Sequence, residues 1–247
     1  MHSVLVSCFL ALSLVPAAFA ESTAASNPND YRINPASIKI EVVEDDITAR
    51  SRMVPLSDPD TFTPFSGALL ALESIVNITT KAWKVIADNK PVVSVNNQYA
   101  TAVPFGLQSW TMLQQWKGPK GYRFKFRAST YAGLTAVKVD FLLTYLYGGN
   151  YNGTGKYLTG VSIVPLSVSV PWNTNFSLGV EVPDLFVINL GTRANPMAGM
   201  MIIMNYSLRG LSHHEARMIY FVRGDGKMKV LNSPEDIDKQ FVKMQND

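Results

Sequence analysis

One stretch of the chain, residues 135–172, alternates apolar and polar side chains and constrains the fold more than any other part. A period of two places every second residue on the same face of an extended strand. The alternation runs through residues 137–147, breaks at a pair of glycines and resumes at residues 157–163. A third run follows a proline and ends at Trp172, which we expect to be buried on the core face. Strands separated by a polar loop and a proline corner predict an antiparallel β protein.

Two further stretches support this interpretation. Residues 121–130 place Tyr122, Phe124 and Phe126 on one face and basic residues on the other, so we expect the aromatic face in the core. Residues 200–204 are apolar on both faces, which is typical of a central, buried strand. We therefore predict a mainly β fold, an antiparallel β-sandwich of about eight to ten strands.

The sequence also predicts two helices. Residues 67–87 show an apolar stripe at helical spacing and a polar stripe opposite, which indicates one amphipathic helix packed on the sandwich. The alternative is that this helix meets a membrane or a partner. Ser233 followed by Pro234 is typical of a helix start and predicts a short C-terminal helix.

The amino terminus has the pattern of a secretory signal. Residues 4–15 are apolar, and Ala18-Phe19-Ala20 fits the small residues that precede a cleavage site. We predict a signal peptide at residues 1–20, a flexible mature N-terminus at 21–36 and a single β-rich domain at 37–247. The protein is then exported, either periplasmic or secreted. Cys8 is the one cysteine and lies in the signal, so disulfides and thiolate sites are excluded from the mature chain.

Charge and motifs exclude several classes of function. A net charge of +3 without a dense Lys/Arg run argues against nucleic-acid binding. The chain has no Gly-x-Ser-x-Gly elbow, and His213-His214-Glu215 lacks the second histidine that a zincin needs. We predict no catalytic residue, no metal and no cofactor. A pair of carboxylates that meet only in the fold stays open, because glycoside hydrolysis requires no sequence motif.

The polar stretch at residues 148–155 is the most suggestive surface. Its composition predicts a long loop that carries tyrosine rings, amides and hydroxyls, which suit sugars or peptides. The same composition also fits a long hairpin loop without function. If the loop binds a ligand, Tyr151 and Asn152 should contribute affinity and not stability. The candidate ligand-binding residues are Tyr147, Asn150, Tyr151, Asn152, Lys156 and Tyr157.

A second candidate is the tripeptide Arg223-Gly224-Asp225. It has the sequence of an adhesion motif and is followed by Gly226, so Asp-Gly predicts a hairpin turn that displays it. The turn alone also explains part of the motif.

Four segments together give a resemblance to a group of proteins. They are Tyr147-Gly148-Gly149, Gly155-Lys156-Tyr157, residues 189–198 and Arg223-Gly224-Asp225-Gly226. The set resembles uncharacterised, exported β-rich proteins of Gram-negative bacteria over residues 70–232. The resemblance implies no activity and assigns no functional residue.

Three functions follow, in order of preference. The first is an exported, non-enzymatic binding protein that recognises a cell-surface glycan, peptide or protein. The second is a membrane-active protein, lipid-binding or pore-forming, that uses the helix at residues 67–87. The third is a hydrolase that uses carboxylate catalysis.

Overall fold

Alternating sequences of this kind pair into sheets, and the computed structural model of the chain contains two of them. The model describes residues 28–45, 70–92, 98–210 and 213–231 of the 247-residue chain. The strands of this described part are β1 (Lys39–Asp45), β2 (Ala71–Val76), β3 (Ala82–Ala87), β4 (Lys90–Pro91), β5 (Ala100–Phe105), β6 (Lys117–Ser129), β7 (Thr135–Tyr151), β8 (Thr154–Ser169), β9 (Asn175–Glu181), β10 (Val187–Asn189), β11 (Ala198–Arg209), β12 (His213–Arg223) and β13 (Met228–Leu231). The helical segments are short 3-10 turns at Pro28–Tyr31, Pro35–Ser37, Trp110–Met112 and Asp184–Phe186.

Both sheets are antiparallel. The first has six strands in the order β1-β6-β7-β8-β5-β2. The second has seven strands, with the path β13-β12-β11-β9-β3-β4 and β10 paired to the start of β11. The prediction of a mainly β protein built from antiparallel strands is confirmed.

Aromatic side chains from both sheets join them into one core. Phe124 and Phe141 of the first sheet stack with ring centroids 5.1 Å apart. Tyr220 of the second sheet meets Phe124 edge-on at 4.6 Å, and Tyr206 meets Phe126 in the same way at 4.8 Å. Such pairs add to the free energy gained from burying apolar area. The sheets therefore pack face to face with their inner faces interlocked.

The alternation of β6 and the double burial of β11 are confirmed. Tyr122, Phe124 and Phe126 are 8%, 0% and 0% exposed, and the basic residues between them face outward. The first seven residues of β11 are all buried. Residues such as Met201 and Ile203 point away from the core and form a second apolar cluster on the outer face with Phe221 and Leu231.

The prediction of an amphipathic helix at residues 67–87 is wrong. The described part of this stretch forms β2 and β3, which lie in different sheets. Asn77, which is 7% exposed, holds the corner between them. Its Oδ1 accepts hydrogen bonds from the N–H groups of Thr101 and Thr79, and its Nδ2 donates to the carbonyl of Thr80. Two short strands around a polar corner can reproduce a helical stripe by spacing alone.

Several predictions concern the ends of the chain. The signal peptide and the C-terminal helix lie outside the described residues. Between the 3-10 turns of the N-terminal segment, Ile33 is 4% exposed and bridges to Thr130, so the described part of that segment packs on the first sheet. None of the helices in the described part of the chain has the length and apolarity to cross a bilayer.

The polar stretch at residues 148–155 is not a long loop. β7 continues to Tyr151 and β8 begins at Thr154, so only Asn152 and Gly153 form the turn. Their φ values of 49° and 81° are those of a tight hairpin turn. The pairing of β7 with β8 shifts register twice between Tyr147 and Tyr151. The other glycines therefore mark irregularities within the strands and not a loop.

Trp172 is not buried. It is 97% exposed, because β8 ends at Ser169 and the chain turns before Trp172 can reach the core. The N–H of Thr174 donates to the carbonyl of Pro171 at 3.0 Å, which places Trp172 at the corner of that turn. The alternation that predicted burial extends past the end of the strand.

Candidate functional site

Two predicted sites that are far apart in sequence meet at one end of the sandwich. The N–H of Gly148 donates to the carbonyl of Gly224 at 2.9 Å, and the Tyr145 hydroxyl donates to the carbonyl of Gly226 at 2.9 Å. At Gly226, the site of a Cβ lies 2.7 Å from the ring of Tyr147. The end of the β7–β8 hairpin and the turn after β12 therefore form one unit. We call it the junction and define it as residues 114–117, 145–157 and 223–227.

The hairpin residues of the junction differ in how far they are engaged with the rest of the protein. The backbone of Asn150 exchanges two hydrogen bonds with Gln114, and its Oδ1 accepts from the N–H of Gly153. Tyr157 is 0% exposed, and its hydroxyl donates to the carbonyl of Leu72. Burial raises the pKa of the Tyr157 phenol well above its usual range. Tyr147 and Tyr151 are half-buried, whereas Asn152 and Lys156 are exposed.

The adhesion-like tripeptide is folded in on itself. The Arg223 side chain is 6% exposed and donates from Nη2 to Oδ2 of Asp225 at 3.0 Å. A Cβ at Gly224 would lie 2.0 Å from the carbonyl oxygen of Lys156. The arginine and the aspartate are thus paired with each other, and neither extends from the turn as a receptor-binding tripeptide requires.

A different surface of the second sheet is open. A cavity of about 970 Å³ lies on its outer face, across β3, β9, β11 and β12. The inner residues of β9 face the core, so Ser177, Gly179 and Glu181 face this cavity. Asn205 and Ser207 do the same on β11. Apart from Glu181 at the end of β9, these residues of the two middle strands have short side chains, and a groove results.

One row of residues crosses this groove from wall to wall. Lys84 of β3 pairs with Gly179, Gly179 pairs with Asn205, and Asn205 pairs with Arg217 of β12. Three strand spacings separate Lys84 from Arg217, or about 14 Å. The Arg217 Nε donates to Oδ1 of Asn205 at 3.0 Å, so the guanidinium leans over the floor. Two long basic side chains thus flank a floor of glycine and amide.

The charged groups of the groove differ in how far they are paired. The Glu215 carboxylate lies 2.8 Å from His213 Nε2 and accepts a hydrogen bond from Arg209. The hydrogen bond with His213 lowers the pKa of Glu215. Among the described residues, no ion-pair partner lies within 4.0 Å of Lys84, Arg217 or Glu181. The groove therefore offers donors on both walls and an acceptor at one end.

A second cavity, of about 580 Å³, is lined by residues 75–78 and 105–108. Its charged residues, Lys81 and Asp184, form an ion pair with each other. Ile78 and Phe105 at its border are exposed. Its lining is mainly apolar and its charges are paired. This cavity therefore has fewer unpaired polar groups for a ligand than the groove has.

The residue types of a metal centre do not come together. Within the described ranges, no group of three or more histidine, cysteine, aspartate or glutamate side chains is placed to hold a metal ion.

No family model, curated protein or solved structure matches the chain. The resemblance to exported proteins of Gram-negative bacteria stays a prediction.

The groove is not apparent from the sequence. Its one local signal was the outward face of β9, where Ser177 and Gly179 alternate with bulky core residues. A glycine inside a strand often marks the close approach of a ligand or another backbone. Lys84 lies in the stretch that the sequence pattern predicts to be helical, so its position beside Gly179 is visible only in the structure.

Proposed function

We propose that the chain is an exported, non-enzymatic binding protein that holds an oligosaccharide in the groove of the second sheet. The observation that carries this proposal is the row from Lys84 through Gly179 and Asn205 to Arg217. It offers a flat floor, an amide, and basic groups without an ion-pair partner in the described part of the chain. Sugar hydroxyls both donate and accept hydrogen bonds, so they match cations, amides and the carboxylate of Glu181 together.

A glycan fits the floor better than an extended peptide. A peptide that adds to a sheet needs an open strand edge. In the groove, β9 is paired on both sides, with β3 and β11, and β11 is paired with β9 and β12. The backbone groups of the floor are therefore already used, and recognition has to come from side chains. Short hydroxyl and amide side chains on a rigid sheet supply it.

The hydrolase hypothesis is weaker because the carboxylates of the groove are far apart. Glu181 pairs with Ile203 of β11, whereas Glu215 of β12 pairs with Ser207 of β11. The two glutamates are therefore four residues apart along the strand direction and two strands apart across the sheet. Their backbones are about 16 Å apart by strand spacing and rise. Side chains of a strand stand roughly perpendicular to the sheet, so the carboxyl groups stay well beyond the separation of about 5–9.5 Å that glycosidases use. The lowered pKa of Glu215 also disfavours it as a general acid.

A glycan array compares the wild type with Gly179→Leu. The nearest atom to a Cβ at Gly179 is the Trp83 carbonyl oxygen, 3.7 Å away, which is an ordinary contact. A Cβ therefore fits at this position, and because Gly179 faces the cavity, the rest of the leucine side chain extends into the groove. Thr144→Leu, on the outer face of the other sheet, is the matched control.

The expected result is selective binding by the wild type, retained by Thr144→Leu and weakened at least about tenfold by Gly179→Leu. Equal binding by both variants contradicts the groove as the site. If the wild type binds no glycan, the proposed ligand class is wrong.

A further inference from the structure

Trp172 is the most exposed large apolar side chain in the described part of the chain, and its loop is firmly held. Asn89 donates from Nδ2 to the carbonyl of Thr174 at 2.7 Å and accepts at Oδ1 from the N–H of Phe176 at 2.6 Å. Together with the turn between Pro171 and Thr174, these bonds fix the loop on both sides of the tryptophan. The indole is thus displayed by an ordered turn and contributes nothing to the core.

Other exposed apolar side chains lie at the same end of the sandwich. The turn between β6 and β7 leaves the sheet where Ser129 pairs with Thr135, and the Trp172 loop follows the end of β8, where Ser169 pairs with Lys138. The N-terminal segment joins them, since the N–H of Tyr131 donates to the carbonyl of Arg32. We call this the aromatic end. Its exposed members are Tyr31 (45%), Tyr131 (60%), Leu134 (57%) and Trp172 (97%).

Basic residues lie directly behind the aromatic end, on the outer face of the first sheet. Lys39 pairs with Arg127, and Arg127 pairs with Lys138, so three cations form a row across β1, β6 and β7. Asp140 neutralises Arg127, with 2.7 Å between Nη2 and Oδ1. Lys39 and Lys138 are exposed and have no carboxylate within 4.0 Å among the described residues. Two positive charges are therefore available near the apolar tips.

We propose that the aromatic end docks on a lipid bilayer that carries anionic headgroups. Tryptophan and tyrosine favour the boundary between headgroups and hydrocarbon, because each has an apolar ring and a polar atom. The side chains project from separate turns, and none of them lines either of the two cavities described above. A fluid surface accepts separate projections, whereas a folded partner needs a matching recess for each. The cations behind them suit anionic headgroups.

The groove stays accessible in this arrangement. It opens on the outer face of the second sheet, whereas the aromatic end is formed by turns and has its cations on the first sheet. The groove borders the aromatic end at Asp88, next to the Asn89 that holds the Trp172 loop, but it opens on a different face of the molecule. Lipid contact at the turns therefore does not depend on the proposed glycan. This membrane contact also differs from the one predicted from the sequence, which used a helix at residues 67–87.

The test is flotation with vesicles, using protein collected after export so that it has the N-terminus that export leaves. One set of vesicles is phosphatidylcholine, and the other contains about one third phosphatidylglycerol. We expect the wild type to float with the anionic vesicles and Trp172→Ala to bind them at least about tenfold more weakly. Leu185→Ala, which removes a side chain that is 79% exposed beyond the other end of β9, should bind like the wild type.

A second measurement tests whether the Trp172 indole itself contacts the lipid. Brominated lipids quench an indole only when it enters the bilayer boundary, so the wild type should lose fluorescence and Trp172→Phe should lose much less. The proposal is overturned if the wild type floats with neither vesicle, or if it binds phosphatidylcholine alone equally well. It is also overturned if Trp172→Ala and Leu185→Ala bind alike, or if quenching persists in Trp172→Phe.

Discussion

The junction and the groove both carry polar and charged side chains, but they differ in how those groups are used. In the junction, Arg223 pairs with Asp225, and the Tyr157 hydroxyl bonds to a backbone carbonyl. In the groove, Lys84 and Glu181 have no ion-pair partner within 4.0 Å in the described part of the chain. Polar groups that satisfy each other in a buried setting stabilise the fold, whereas groups left open on a rigid surface can bind a ligand.

This difference has a consequence for mutations. Changes in the junction should reduce the free energy of unfolding and leave the groove intact. Changes in the groove should leave stability nearly unchanged and affect binding alone.

Asp225→Ala should cost about 3–5 kcal/mol of stability, because it leaves the buried Arg223 guanidinium without its counter-charge. Asp184→Ala is the matched control. It breaks the exposed pair with Lys81, whose side chains are 56% and 58% exposed, and should cost less than about 1 kcal/mol. Urea denaturation measures both. Equal costs would show that the turn after β12 is a displayed loop and not part of the junction.

Gly149→Ala should cost about 1–3 kcal/mol, because its Cβ would lie 2.4 Å from the ring of Trp116. The same change in the groove, Gly179→Ala, meets no atom closer than 3.7 Å and should stay within about 1 kcal/mol of the wild type. Thermal melts of the pair compare the two regions at the same chemical change. A larger loss of stability for Gly179→Ala than for Gly149→Ala would contradict the conclusion that the junction, and not the groove, stabilises the fold.

Tyr157→Phe should cost about 1 kcal/mol, since it removes the hydrogen bond to the Leu72 carbonyl while keeping the buried ring. Glycan binding should not change in this variant. A loss of binding with full stability would indicate that the tyrosine contacts ligand and would favour the hairpin residues as the site.

The smallest effect concerns Glu215 at the wall of the groove. Its folded pKa is lowered, chiefly by the hydrogen bond with His213, so the stability it contributes is present at neutral pH and is lost as the pH falls through the folded pKa. His213→Ala should move the Glu215 pKa back toward its ordinary value. An NMR titration of the side-chain carboxyl measures this. No change in that titration would mean that His213 does not hold Glu215 in solution.

The sequence predicted the sheet character of the chain because periodicity within one strand is a local property. Phe124 and Phe126 alternate with basic residues, and that alone places them in the core. The same periodicity gives a wrong prediction for residues 71–87. Two strands of six residues each are too short to distinguish from the apolar stripe of a helix. The predicted burial of Trp172 is wrong because alternation does not show where a strand ends.

The candidate site was harder to predict for a different reason. Lys84, Gly179, Asn205 and Arg217 belong to four strands, and only their register brings them into one row. A single sequence gives the face of each residue but not the order of the strands. The hairpin residues, by contrast, are adjacent in sequence and stand out for their composition, although Asn150 and Tyr157 are engaged in hydrogen bonds with the rest of the protein.

The most direct test of the account is a calorimetric titration with the glycan that the array selects. Two double variants are compared with the wild type: Lys84→Ala with Arg217→Ala in the groove, and Tyr151→Ala with Asn152→Ala at the hairpin tip. If the groove is the site, the first pair weakens binding at least about tenfold, or about 1.4 kcal/mol, and the second changes it less than about twofold. The opposite result, with affinity lost only at Tyr151 and Asn152, would contradict the groove and return the site to the hairpin.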